Sequence, residues 1–278
     1  MKQKKVLLAL SGGVDSAVAA LLLQKQNYQI TAVFLKCFSD TKDPITGQCN
    51  WQAEKRSAQK IAAKLNIPLK ILDAEQAYKT QVIKPMIDAY KEGLTPNPDI
   101  PCNTLIKFPW LRKEMKKQKC DYIATGHYAR IKKTKSTSTT PKKASISPWS
   151  AANSKGGGVD SSGASYSLLM GKDKTKDQSY FLAELTQADL EKTLFPVGNL
   201  TKSEVRNLAH KEGLHNHDKK STRGICFVGK VNLQTFLKHK IKPKPGKIIN
   251  HEKKEIGKHP GIQYFTIGQR LGPRLGMH

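Results

Sequence analysis

The stretch Val6-Leu7-Leu8-Ala9-Leu10-Ser11-Gly12-Gly13-Val14-Asp15-Ser16 constrains this chain more than any other. Its apolar run, Val6 to Leu10, reads as a strand buried on both faces, the pattern of a parallel sheet. A small polar turn follows, Ser11-Gly12-Gly13, and then an apolar-periodic run from Val14 to Leu23 that predicts a helix. Strand, glycine turn and helix start in that order build an anion site, because unpaired backbone N–H groups and the positive end of the helix dipole meet at one point. Glycines let the backbone approach a phosphate that a Cβ would hold off.

The turn is neither a Walker loop, since no Lys-Ser/Thr follows, nor a G-x-G-x-x-G dinucleotide loop. Ser-Gly-Gly-Val-Asp-Ser resembles instead the pyrophosphate loop of the N-type ATP pyrophosphatases, which cleave ATP between its α and β phosphates. Downstream, strand-like runs at Ile30 to Leu35, Leu69 to Leu72 and Asp121 to His127 alternate with helical patterns. The helices are expected at Ala53 to Leu65, 75–92 and 104–118. This alternation predicts an α/β fold with a doubly wound parallel sheet and ligands at the carboxyl ends of its strands. Gly126 and His127 are expected at that edge, beside the first glycine turn.

Composition changes over 132–165, where Ser, Thr, Lys, Gly and Ala dominate; this predicts a flexible insertion with too little apolar surface to pack. Order is expected to resume at Tyr166 to Met170, as a strand returning to the first domain. Residues 1–177 are thus read as one domain and 178–240 as a smaller, mainly helical RNA-binding one. In the latter a helix from Lys202 to Glu212 carries Lys202, Arg206 and Lys211 on its outer faces. From 241 to 278, Pro, Gly and short β-prone pieces predict a small β element.

Lys and Arg number 48 against 22 Asp and Glu, a formal charge of +26 spread along the chain, which points to a polyanionic partner such as nucleic acid. No apolar run reaches the roughly 18 residues of a membrane span. The chain begins Met1-Lys2-Gln3-Lys4-Lys5 and enters the first strand at once, without a secretory signal. The 5 cysteines are odd in number and form no C-x-x-C pair, which disfavours a zinc site or a disulfide framework and suits a reducing interior.

The segment Thr95-Pro96-Asn97-Pro98-Asp99-Ile100-Pro101-Cys102-Asn103 is the second unusual stretch. Its prolines set a rigid loop, and rigid loops bearing polar side chains commonly carry function. Cys102 precedes the helix expected over 104–118, where the helix N-terminus and Lys107 would favour its thiolate. Asp99 is placed to donate or accept a proton. Cys226, in Arg223-Gly224-Ile225-Cys226-Phe227-Val228-Gly229, reads alone as part of a core strand. An enzyme that adenylates its substrate and carries two functional thiols, however, is suited to sulfur transfer.

With these residues in view the chain resembles the tRNA-specific 2-thiouridylases, which place sulfur on C2 of the wobble uridine. The motifs Ser11–Ser16, Thr95–Asn103, Ala124–Tyr128, Lys176–Phe181, Phe195–Gly198, Gly224–Phe227 and Thr266–Arg270 occur in the family's order. The resemblance implies ATP bound on Ala9, Leu10, Ser11, Gly12, Gly13, Val14, Asp15 and Ser16. Leu35 would lie on the adenine side and Gly126 would line the pocket. Mg²⁺ would be carried by the nucleotide, with no protein metal site. It implies adenylation of the uridine O2, with pyrophosphate released. A persulfide on Cys226, loaded by a sulfur-relay protein or a cysteine desulfurase, then supplies sulfur. Cys102 either releases that sulfur through a disulfide with Cys226 or attacks C2 itself. Asp99 transfers protons, Asn97 and Pro98 shape the base pocket, and His127, Lys176, Asp177 and Gln178 face the anticodon loop of the tRNA.

The chain departs from the family pattern in two places. Ser221, Thr222 and Arg223 stand where an acidic residue and a serine usually precede the Gly-Ile-Cys-Phe motif. The sequence ends at His278, where the family continues, so a C-terminal β-barrel is expected to be missing. The insertion and the basicity lean toward a eukaryotic, mitochondrial enzyme, against the lack of an amphipathic presequence; otherwise a cytoplasmic setting is expected. Rival readings are an amide or argininosuccinate synthetase-type pyrophosphatase, which has no need of paired cysteines, and a non-catalytic RNA-binding remnant.

Overall fold

The computed structural model describes residues 3–39, 50–135, 164–219 and 233–269. Strand β1 (Lys5–Ala9) lies at the centre of a five-stranded sheet, between β2 (Gln29–Lys36) and β4 (Tyr122–Ala124). The edges are β3 (Leu69–Asp73) and β7 (Thr193–Leu194). Every ladder is parallel, with Leu7 of β1 level with Thr31 on one side and Ile123 on the other.

Successive strand residues point to opposite faces, so a central parallel strand must be apolar throughout. Val6, Leu7 and Leu8 are each 0% exposed, and they divide between two layers. Val6 and Leu8 pack with Val18, Ala58, Ile61 and Val205. Those residues belong to α1 (Val14–Lys25), α2 (Asn50–Lys64) and a later helix, α8 (Lys202–Lys211). Leu7 packs on the opposite face with Tyr78, Val82, Met86, Ile106 and Leu111. That second layer is built from α3 (Glu75–Tyr78), α4 (Lys84–Lys91), α5 (Asp99–Pro101) and α6 (Phe108–Lys117) with the turns that join them. Burial of this kind contributes about 1.5–3 kcal/mol per large apolar side chain, so β1 depends on both layers at once. The expected doubly wound sheet is present.

Both helical runs of the second layer contain a widened, π-helical stretch, Lys79–Ile83 and Cys102–Lys107. Each lies just ahead of a proline, Pro85 or Pro109. A proline has no N–H for the carbonyl four residues earlier, and a wide turn re-routes the bonding there. Cys102 therefore does not precede a helix, as expected, but sits inside a helical run that begins at Asp99.

Other differences concern the second half. The stretch expected to form a separate helical unit from 178 contributes β7 to the main sheet and α8 to the layer over α1; α7 (Gln187–Glu191) precedes β7. Residues expected to be inserted, 132–135 and 164–165, belong to an antiparallel ribbon of β5 (Ala129–Lys135) and β6 (Ala164–Met170). β6 thus pairs with β5 and not with the main sheet; residues 136–163 lie outside the described residues. Helix α9 (Leu233–Lys240) packs Phe236 and Leu237 against the second layer, joined by Ile241 and Tyr264. A two-stranded sheet of β8 (Gly246–Ile249) and β9 (Glu255–His259) forms the expected small β element.

Candidate active site

The chain leaves β1 with Leu10 still in the ladder, its N–H donating to the Val33 carbonyl at 2.8 Å. It then turns through Gly12 at φ +77°, the left-handed region that glycine enters without strain. A Cβ on Gly12 would run into the Glu54 carbonyl oxygen of α2, so this position needs glycine for space as well as for backbone conformation. The turn is closed from within: Ser16 Oγ donates to the Gly13 carbonyl at 3.0 Å and accepts from the Ser11 N–H at 3.2 Å. It is also held from behind, where the Gly12 carbonyl accepts from Ser57 Oγ (2.9 Å), Asn216 Nδ2 (3.1 Å) and Lys219 Nζ (3.4 Å). The first bond of α1 is Ala17 N–H to Gly13 O, so the amides of Val14, Asp15 and Ser16 precede the helical ladder. Those amides are the donors that an anion at this helix start would meet.

The carboxylate of Asp15 is gripped by two distant residues. Its Oδ1 accepts from Tyr128 Oη at 2.7 Å and from Lys202 Nζ at 2.5 Å. Burial, and next the Asp15 charge and hydrogen bond, push the Tyr128 phenol far above its ordinary value, so it remains a donor. Lys202 starts α8, and its own N–H donates to Asp173 Oδ2 at 3.0 Å. A capping box on Thr201, closed by Glu204, fixes that start. The expectation that Lys202 and Arg206 lie on outer faces is corrected: the Lys202 side chain is only 13% exposed, against Asp15 of the Ser11–Ser16 turn. Arg206, one turn later, donates from Nη2 to the Lys219 carbonyl at 3.3 Å. Lys211 is exposed, as expected.

Gly126 sits hard against the same helix start. A Cβ there would lie 2.7 Å from Ser16 N and 2.9 Å from the Asp15 carbonyl carbon. Leu35 is 5% exposed, within the second-layer cluster beside Val33 and Cys37, so its side chain is core. His127, expected to face RNA, is buried: Nδ1 is 2.8 Å from Thr125 Oγ1 and Nε2 is 3.3 Å from Lys107 Nζ. Burial, then the Lys107 charge, hold its pKa well below the ordinary imidazole value, so the ring is neutral.

In the proline-rich segment, Asn97 Oδ1 accepts from the Asp99 N–H at 3.0 Å, and Asn103 Nδ2 donates to the Asp99 carbonyl at 2.9 Å. The Cys102 N–H donates to the Pro98 carbonyl at 3.1 Å. The Cys102 side chain is fully buried, in the cluster that holds Leu7, Ile106 and Phe236. Across from this segment, a 3₁₀ turn (Ser179–Leu182) presents Tyr180. The two segments lie side by side, and burial first, then the charges of Asp99 and Asp177, raise the Tyr180 phenol.

The residues expected to face RNA from 176 to 178 divide. Lys176 is exposed. Asp177 Oδ1 accepts from the Gly171 N–H at 2.8 Å and Oδ2 from Ser179 Oγ at 2.7 Å. Burial would raise its pKa, but those bonds outweigh it and the carboxyl stays below its ordinary value. Gln178 clasps Tyr128, its Oε1 accepting from the Tyr128 N–H at 3.1 Å and its N–H donating to the Tyr128 carbonyl at 3.0 Å. Asp177 and Gln178 therefore shape the loop that holds Tyr128 on Asp15. Cys226 lies outside the described residues. Sequence reasoning missed Asn216 and Lys219 behind the turn, and Lys202 and Tyr128 on Asp15. The i, i+4 spacing of Lys202 and Arg206 was the available signal for α8, but it does not say which way the pair points.

Residues 4–230 match the family model described as the tRNA methyl transferase HUP domain, and residues 234–278 match the tRNA methyl transferase PRC-barrel domain. The second match covers the stretch expected to be a small β element. The chain is 41% identical over 276 residues to the tRNA-specific 2-thiouridylase MnmA 1 of Geobacillus kaustophilus, covering 99% of this chain and 66% of that protein. It is 42% identical over 276 residues to the tRNA-specific 2-thiouridylase MnmA of Buchnera aphidicola, covering 99% and 67%. The chain thus spans about two thirds of the length of these relatives. Both are bacterial, and neither supports the mitochondrial lean. A 4-thiouridine synthetase–RNA complex with bound ATP aligns over 86% of this chain and 50% of that one, at 14% identity and a TM-score of 0.45. Among the described residues, no helix is long and apolar enough to cross a membrane.

Proposed function

The chain belongs to the tRNA methyl transferase HUP-domain family, and from that premise we propose that it is a tRNA 2-thiouridylase that activates a wobble uridine with ATP and replaces its O2 by sulfur. The observation that carries this reading is the Ser11–Ser16 turn. It lies at the carboxyl end of a buried parallel strand, with helix-start amides suited to an anion, and is held by side chains from Ser57, Tyr128, Lys202, Asn216 and Lys219. The thiouridylase names of the relatives and the two cysteines choose among ATP pyrophosphatases in favour of sulfur transfer, and against an amide or argininosuccinate synthetase.

In this reading ATP lays its phosphates on the amides of Val14 to Ser16, beside Gly126. The turn holds its donors in place before the nucleotide arrives, so little reorganisation is needed as charge develops. Mg²⁺ carried on the nucleotide would supply neutralisation of phosphate charge, while Asp15 stays engaged with Tyr128 and Lys202. The uridine O2 attacks the α-phosphorus and pyrophosphate leaves, which turns a poor leaving oxygen into AMP. Extruding the base from an anticodon loop costs less than from a duplex.

Cys226 carries the incoming sulfur as a persulfide delivered by a donor protein. The Cys102 thiolate attacks the inner sulfur of that persulfide. A Cys102–Cys226 disulfide forms, sulfide departs to C2, and AMP is expelled. A thiol reductant then restores both cysteines. Asp99 accepts and returns the protons, with Asn97 and Pro98 holding its segment. Because Cys102 is fully buried, substrate binding has to uncover it.

The test is nucleoside mass spectrometry of under-thiolated tRNA incubated with the protein, Mg-ATP and a persulfide donor, beside Cys102→Ser and Cys226→Ser. The expected result is 2-thiouridine at the wobble position with stoichiometric AMP, and no thiolation by either variant. ADP in place of AMP, or thiolation that survives both substitutions, overturns the reading.

A further inference from the structure

We propose that the cleft on the back of the nucleotide turn binds the phosphodiester backbone of RNA, an assignment that rests on the RNA substrate proposed above. The cleft, about 490 Å³, opens between α2 and the turn that follows α8. Its lining includes Arg56, Lys60, His215, Asn216 and Lys219, with Asp218 as its carboxylate.

The cleft is a separate place from the ATP phosphate site, although a single peptide unit divides the two. Its floor is the Gly12 carbonyl, on which the side chains of Ser57, Asn216 and Lys219 converge. In a trans peptide the C=O and the following N–H point in opposite directions, so the Gly13 N–H faces away from the cleft, toward Ser11 Oγ at 3.4 Å. The Gly13 amide therefore lies on the other side of the turn from the cleft. An anion in the cleft would press on the turn from behind.

Cations crowd this side of the molecule. Arg56 and Lys60 lie one turn apart on α2, and both are exposed. The His215 ring is held 3.0 Å from Ser57 Oγ. Burial first, then the charges of Lys60, Lys219 and Lys64, depress its pKa. Lys219 is partly neutralised by Glu54 at 2.6 Å. A second observation comes from Asn216, which is 3% exposed. Its Nδ2 is used on Gly12, and its Oδ1 is buried with no hydrogen-bond partner among the described residues. Clustered cations lining an open cleft suit a ligand that brings phosphate oxygens, as a ribonucleotide chain does.

The experiment titrates unmodified tRNA into the full chain by fluorescence anisotropy, across about 50 to 200 mM salt, a range over which phosphate contacts are strongly screened. Arg56→Gln/Lys60→Gln is compared with Lys113→Gln/Lys116→Gln, which removes the same charge from exposed positions of α6 on the opposite layer. The expected result is a roughly tenfold loss of affinity for the cleft pair, with a salt slope shallower by about 1 to 2, and less than a twofold effect for the control pair. ATP affinity, measured in parallel, reports whether the turn is intact. Unchanged tRNA affinity in the cleft pair overturns the assignment, and so does an equal loss in the control pair or a loss confined to ATP. If the unsubstituted protein binds ATP but no tRNA, the functional reading itself fails, and the cleft assignment with it.

Discussion

Replacing Lys202 by methionine removes the cation held against Asp15 and leaves most of the aliphatic stem. At 2.5 Å the direct attraction is about 7 kcal/mol at an effective dielectric of ~20, and under about 2 kcal/mol in water. The lysine side chain is 13% exposed and the aspartate 31%, so desolvation offsets part of that gain and solvent screens another part. Tyr128 still donates to Asp15 after the substitution, so the carboxylate is not stranded. A net coupling of about 1–3 kcal/mol follows, and for a domain of this size a melting temperature lower by about 3–8 °C in Lys202→Met. The assay is a double-mutant cycle with Asp15→Asn, read by urea unfolding. The coupling is expected to survive ~1 M salt better than that of Lys172 with Glu204, whose side chains are 49% and 43% exposed. A coupling within about 0.5 kcal/mol of zero, or one abolished by salt, refutes the argument that this pair is a working part of the site.

The other predictions address the same frame. Gly126→Ala places a methyl group against Ser16 N and is expected to lower AMP formation by about 10²-fold in a folded protein; unchanged turnover would show that the turn does not need the close approach. Glu75 is held at about 2, first by Ser39, against burial, and then by Lys36 and Lys79. Its contribution to stability is complete above its ordinary value of 4.5 and is lost as pH falls toward about 2. Glu75→Gln should therefore melt lower than the unsubstituted protein at neutral pH and converge with it near pH ~2; parallel curves would contradict this. His127 is buried neutral, with a folded pKa below its ordinary value of 6.5, so stability is full above pH 6.5 and falls as the medium acidifies. His127→Gln is expected to remove that part of the acid sensitivity in thermal melts, and an unaltered profile would show that the ring titrates in contact with solvent.

Much of the frame is legible in the chain because it is local. Val6 to Leu10 is apolar at every position, and only a strand covered on both faces buries it all, which already implies helices on each side. The Ser11–Gly13 turn and the helix after it need only neighbours in sequence. The prolines of the 95–103 segment likewise announce a rigid element, although Pro109 also widens the following turn and draws Cys102 inside the helical run. What misleads is side-chain direction. Lys202 and Arg206 show the spacing of a solvated basic face, and only the docking of α8 on α1 turns them toward Asp15 and the 216–219 turn. His127 looks like a polar residue at a sheet edge, yet Lys107 and Phe195 close over it.

The sequence by itself determined the parallel sheet, the position of the anion turn at the end of β1 and the identity of the candidate nucleophiles, because backbone conformation and chemistry type follow from adjacent residues. Only the tertiary structure decided what grips that turn. Ser57, Tyr128, Lys202, Asn216 and Lys219 come from separate elements, and β7, a strand of two residues, carries no pattern that reveals its place in the sheet. The physical reason is the same throughout: a hydrogen bond or ion pair across the fold depends on where two elements dock, and docking is settled by the combined burial of both layers.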